Sequence, residues 1–123
     1  MCGIVGIVGG EIEPGTAARM VATLRHRGPD DCGVWKGEGA QLGHSRLTIV
    51  DLSSAGHQPM ELGDLVLVYN GEIYNHGALR VELGGDYRST SDSETLLHAY
   101  REYGDRCVEH LTGMFAFAVW DRR

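Results

Sequence analysis

A chain of 123 residues with 42% apolar and 23% charged side chains has the size and composition of one globular domain with its own core. Its net charge of −6 offers no basic face to nucleic acid or to an anionic membrane surface, and no stretch approaches the apolar length of a membrane span. The N-terminus lacks the basic region and cleavage site of a signal peptide, and Cys2, Cys32 and Cys107 show no CxxC spacing, which points to a reducing, cytoplasmic setting without a disulfide framework or a zinc site.

Met1-Cys2-Gly3 opens the chain. Aminopeptidases remove an initiator Met that precedes a small side chain, and the product would carry a thiol and a free α-amine on one carbon. Such a residue supplies both a nucleophile and a proton acceptor. A small core residue opening a strand is the plainer reading of the same cysteine. Gly3 to Gly9 alternates glycine with Ile and Val and reads as a buried strand, ended by Gly9-Gly10. Thr16 is the expected N-cap of a short helix with Met20, Val21 and Leu24 on one face. Arg25 to Asp31 contains a Gly-Pro-Asp break and is expected as an ordered loop, although a charge cluster is ordinarily solvated surface.

Gly33 to Trp35 and Gln41 to Val50 are expected strands. Arg46 within the second either snorkels from an edge or clamps a carboxylate, for which a planar guanidinium is the best protein group. Leu65 to Tyr69 reads as a buried strand ending at Asn70-Gly71. That dipeptide is ordinarily a tight turn; here it could also aim the Asn70 carboxamide and the Gly71 N–H at one point, as an oxyanion hole does. A helix follows from Asn75, with Leu79 and Leu83 on one side and Gly84-Gly85 as its stop. Ser91 to Glu94 has capping-box spacing before a helix carrying Leu96, Leu97, Ala99 and Tyr100. Asp92 in its first turn suits the helix dipole by itself. A short helix from Asp105 to Leu111 and a buried strand from Met114 to Trp120 complete an α+β pattern. The six histidines are scattered, with no ligand spacing, and read as structural or surface residues.

Six segments in order resemble the N-terminal glutaminase domain of asparagine synthetases, the class II glutamine amidotransferases. They are M-C-G-I-V-G, R-H-R-G-P-D-D (Arg25 to Asp31), S-R-L-T-I-V-D (Ser45 to Asp51), Y-N-G-E-I-Y-N (Tyr69 to Asn75), S-D-S-E (Ser91 to Glu94) and L-T-G-M-F-A-F-A-V-W-D (Leu111 to Asp121). The resemblance spans essentially residues 1–123 and implies an N-terminal nucleophile hydrolase fold, a four-layer αββα sandwich with two antiparallel sheets. It implies Cys2 as nucleophile and Asn70 with Gly71 as oxyanion hole. Arg46, with backbone groups of Leu47, Ile49 and Val50, would hold the α-carboxylate of L-glutamine, and Glu72 and Asp92 its α-ammonium end. The products would be glutamate and ammonia, formed through a γ-glutamyl thioester.

The family pattern continues into further strands and a synthetase domain, neither of which this sequence carries; the S-G-G-x-D-S pyrophosphate loop is absent. ATP and magnesium would belong to that missing part, and no cofactor is expected in this chain. The segment between Leu83 and Ser91 is a few residues shorter than usual, so a trimmed helix end is expected. An apolar edge around Phe115 to Trp120 is expected to be covered by self-association or by a separate synthetase chain. The alternatives are a glutamine-binding relic or accessory subunit that turns over poorly, and an amidohydrolase for another amide, which the Arg46, Glu72 and Asp92 set disfavours.

Overall fold

The computed structural model describes all 123 residues. Six strands form two antiparallel sheets. The first contains β1 (Gly3–Val8), β2 (Asp31–Gly37) and β3 (Ala40–Arg46) in the order β1-β3-β2. The second contains β4 (Met60–Leu62), β5 (Leu65–Ile73) and β6 (Gly113–Asp121) in the order β4-β5-β6. The helices are α1 (Thr16–Ala22), α2 (His76–Leu83) and α3 (Asp92–Tyr103), with 3₁₀ turns at Ser54–Gly56 and Gly104–His110. The α+β class with antiparallel sheets is as expected. No helix is long and apolar enough to cross a membrane.

The apolar run of β5 explains the layering. Side chains alternate across a strand, so Leu65, Leu67, Tyr69 and Ile73 face one way and Val66 and Val68 the other. The first set packs on Leu96, Leu97 and Ala99 of α3; the second meets Leu42 of the first sheet, with Ile4 and Trp35 beside it. A strand covered on both faces has no use for polar alternation, which is why it reads as L-V-L-V-Y. On the far face of the first sheet, Ala17 and Val21 of α1 close over Val5.

Several boundaries differ from the sequence reading. β3 stops at Arg46 rather than Val50, because its neighbours stop there too: Gly3 pairs with Ser45 and Asp31 with Arg46. Beyond that point the Thr48 N–H turns to the Asp30 carboxylate, and Ile49 is 70% exposed. Asn70-Gly71 is no turn. β5 runs straight through it, with Asn70 opposite Ala116 and Gly71 opposite Phe115. Glycine is needed there for close approach, since a Cβ would sit 2.2 Å from the Met114 carbonyl oxygen. Thr16 is the first residue of α1 and Gly15 its cap, while Met20 points outward and Ala17 takes its place in the core. Ser91 caps α3 by accepting from the Ser93 N–H, but Glu94 does not complete a capping box. Its carboxylate instead accepts from the Arg88 and Ser89 N–H groups. The short strand β4 had no sequence signal, and β6 is half-buried rather than buried.

Candidate active site

The open end of β1 delivers Cys2 to a cleft of about 160 Å³ at the junction of the two sheets. The residue is half-buried. The Leu47 N–H donates to Sγ at 3.3 Å and the thiol faces the Leu47 carbonyl at 3.5 Å. Arg27, from the R-H-R-G-P-D-D loop, donates from Nε to the Cys2 carbonyl at 3.0 Å and fixes the residue's backbone. The same loop is tied to β3 by Ser45 Oγ donating to the Gly28 carbonyl at 2.7 Å. Asp30 accepts from the N–H and hydroxyl of Thr48, which hold its carboxyl below the usual range and pin the chain just after Arg46.

Arg46, the last residue of β3, is 7% exposed. Its guanidinium donates to two carbonyls, Nη1 to Ser53 at 2.9 Å and Nη2 to Asp51. No carboxylate of the protein lies within ion-pair distance of it. The packing around it is close: a Cβ on Gly56 would fall 2.3 Å from Nη2. Asp92, at the start of α3, is 4% exposed and likewise has no cationic partner in the protein. Its Oδ2 accepts from the Tyr69 hydroxyl at 2.6 Å and the Ile73 N–H at 3.0 Å. Burial, reinforced by that bond to Asp92, pushes the Tyr69 phenol far above its ordinary value, so it stays a donor. A buried charge without a partner is costly, and two of opposite sign in one cleft call for a ligand carrying both signs.

Between these charges runs the unpaired edge of β5. A strand residue points its N–H and C=O to the same side, alternating along the chain. Tyr69 sends its N–H to Gln58 Oε1 at 2.7 Å and its carbonyl to His44 Nε2 at 3.0 Å. Ile73 sends its N–H to Asp92. Gly71 lies between them in the strand, where β4 has already ended at Met60 opposite Leu67, and it lines the cleft. Asn70, half-buried in the same strand, also lines the cleft.

All nine residues expected at a site line this one cleft: Cys2, Arg46, Leu47, Ile49, Val50, Asn70, Gly71, Glu72 and Asp92. Ile49 and Val50 contribute from its exposed rim and Glu72 from an exposed position on β5. Sequence reasoning passed over Asp51, Gln58 and Tyr69, which also line it. Asp51 and Tyr69 each end or begin a quoted motif, but only their hydrogen-bond partners reveal a role. Gln58 had no signal.

The whole chain, residues 1–123, matches the family model of the glutamine amidotransferase domain. The chain belongs to that family. Asparagine synthetase [glutamine-hydrolyzing] 3 of Bacillus subtilis is 47% identical over 134 aligned residues, covering 100% of this chain and 22% of the relative. Asparagine synthetase B [glutamine-hydrolyzing] of Escherichia coli is 46% identical over 109 residues, covering 85% of this chain and 20% of the relative. Asparagine synthetase [glutamine-hydrolyzing] 3 of Arabidopsis thaliana is 42% identical over 130 residues, with 100% and 22% covered. This amidotransferase domain thus spans about a fifth of the length of the relatives it matches.

Proposed function

We propose that this amidotransferase domain hydrolyses L-glutamine to L-glutamate and ammonia through a γ-glutamyl thioester on Cys2. The observation that carries the reading is the pair of buried, unpartnered charges, Arg46 and Asp92, in the cleft that holds the Cys2 sulfur. An α-carboxylate on the Arg46 guanidinium, beside the backbone of Leu47, Ile49 and Val50, makes a charge-assisted contact. The α-ammonium goes to Asp92 and Glu72. A substrate held at both ends has its carboxamide fixed against Sγ, and that positioning is itself a large part of catalysis.

With Met1 removed, the Cys2 α-amine takes the thiol proton as sulfur attacks the amide carbon. Negative charge moves to the amide oxygen, where the Asn70 carboxamide and Gly71 N–H stabilise it. Collapse breaks the C–N bond, and the ammonium form of the amine returns the proton to departing ammonia. Water then attacks the thioester, gives up a proton to the same amine, and leaves glutamate and the free thiol. All of these groups come from this chain, so the hydrolysis calls on no metal or cofactor in it.

The ordering of α1, first sheet, second sheet and α3 supports placing the domain among N-terminal nucleophile hydrolases, as an αββα sandwich. We place the protein in the cytosol, where its three free thiols would persist. The ammonia would feed an asparagine-synthetase-type reaction. ATP and magnesium chemistry would belong to a synthetase segment or chain, and the outer edge of β6 is where such a partner or a second copy would pair.

Ammonia release from L-glutamine, followed together with intact mass, tests the reading. Chain lacking Met1 is expected to turn over. Failure of the processed chain to release ammonia refutes catalysis. The weakly active, glutamine-binding alternative draws on one feature, Met1 lying in the cleft beside Cys2; a chain that keeps Met1 is expected to bind glutamine without turnover.

A further inference from the structure

Arg46 and Asp92 stand on different layers, one at the end of a strand in the first sheet and one at the start of a helix outside the second. Their separation must nonetheless match a small zwitterion. One residue is hydrogen-bonded toward both. Asp51 is 8% exposed, and its backbone carbonyl accepts from Arg46 Nη2. Its Oδ1 accepts from the Ser53 N–H at 2.8 Å and the Ser53 hydroxyl at 2.5 Å, while the Ser53 carbonyl in turn accepts from Arg46 Nη1 at 2.9 Å. Its Oδ2 crosses to the other side and accepts from the Thr90 N–H at 2.9 Å, two residues before Asp92.

We propose that Asp51 is a positioning residue that sets the spacing between the cationic and anionic ends of the cleft, and so its selectivity for an amino-acid zwitterion over an amide reagent with no such ends. The inference rests on the glutamine reading above. Three donors converge on the Asp51 carboxylate and favour its ionised form. The Ser53 hydroxyl foremost, with the Thr90 and Ser53 N–H groups, holds its carboxyl down to about 2 against the opposing effect of burial. A carboxylate that merely stabilised the loop would need the Ser53 contacts; the reach to Thr90 joins that loop to the segment entering α3.

The test uses the full chain with Cys2 exposed, and two reagents that alkylate the same sulfur. The first, 6-diazo-5-oxo-L-norleucine, carries the α-carboxylate and α-ammonium; iodoacetamide carries neither. Asp51→Asn is expected to slow the diazo reagent about ten- to a hundredfold, as the loss of hydrogen bonds to a buried charged group does, and to leave iodoacetamide within about threefold. KM for L-glutamine should rise by the same factor with kcat nearly kept. Placed on Asp92→Asn, the second substitution should add less than about threefold, because spacing ceases to matter once one end is neutral. Equal slowing of both reagents, no slowing of either, or a fully multiplicative loss in the double variant overturns the proposal. Should Asp51→Asn fail to melt cooperatively, Ser53→Ala carries the test with a smaller shift of the same kind. A wild-type chain inert toward glutamine sinks the functional reading and this inference together; an active wild type with an unaffected Asp51→Asn sinks this inference alone.

Discussion

The two walls of the cleft are built differently. One is β5, nine residues paired along their whole length with β6 and backed by α3. The other is the irregular chain from Leu47 to Gly56, which has no ladder and is held by carboxylates: Asp30 on Thr48, and Asp51 on Ser53 and Thr90. The ladder fixes Asn70 and Gly71, which stabilise charge in the transition state, while side-chain bonds hold the Arg46 end that grips the substrate carboxylate. Damage to Asn70 or Gly71 should therefore appear in kcat, and damage to the second wall in KM.

Asn70→Ala should produce the largest effect, a fall in kcat of about a hundred- to a thousandfold with KM almost unchanged. A rise in KM with kcat preserved would place Asn70 in binding instead. A comparable free energy is expected from acidification, and it strikes where the two walls meet. His44, fully buried beneath β5 with Nε2 on the Tyr69 carbonyl, has its pKa lowered to about 4, chiefly by burial. The hydrogen bond to the Tyr69 carbonyl opposes burial, Arg46 and His57 push the value further down, and Asp31 opposes them weakly. Because its folded value lies below the unfolded one of 6.5, its contribution is complete above pH 6.5 and is lost as pH falls toward 4. At roughly 1.4 kcal/mol per unit the loss is about 3 kcal/mol. His98, also lowered by burial, adds in the same direction, and Asp51 adds its own loss only below pH 4. Urea unfolding at pH 7 and pH 4.5 checks this: His44→Gln, which can still donate to Tyr69, should flatten most of the decline, and an unchanged slope would contradict it.

On the irregular wall, Gly56→Ala should raise KM about tenfold by displacing the Arg46 guanidinium, with kcat held within about threefold, an effect of roughly 1.4 kcal/mol. The smallest effect belongs to Thr48→Val. It removes one of two donors to Asp30 and leaves the N–H, so KM should rise no more than about threefold. A kcat loss in either variant would erase the distinction between the walls.

The sequence displayed the ladder wall more plainly than the irregular one. L-V-L-V-Y, the start of α3 at Ser91 and the glycine that ends it were visible because each is a local signal of periodicity or capping. L-T-I-V looked like more of β3, and only the end of the flanking strands prevents that. Asn-Gly looked like a turn because its glycine serves a close approach to β6, a contact distant in sequence. Glu94 matched a capping box and instead anchors the segment before the helix. Arg46 and Asp92 drew their ligand-holding roles from resemblance to a family. Residue type alone left each with a plain structural explanation, and their meaning lies in their shared cleft and missing counter-ions.

Intact mass after acid quenching of the processed chain mixed with L-glutamine shows whether the thioester forms. One glutamyl group is expected on Cys2, lost again on standing at neutral pH. Glutamine consumed without that adduct, an adduct on Cys32 or Cys107, or ammonia released by Cys2→Ala would contradict it.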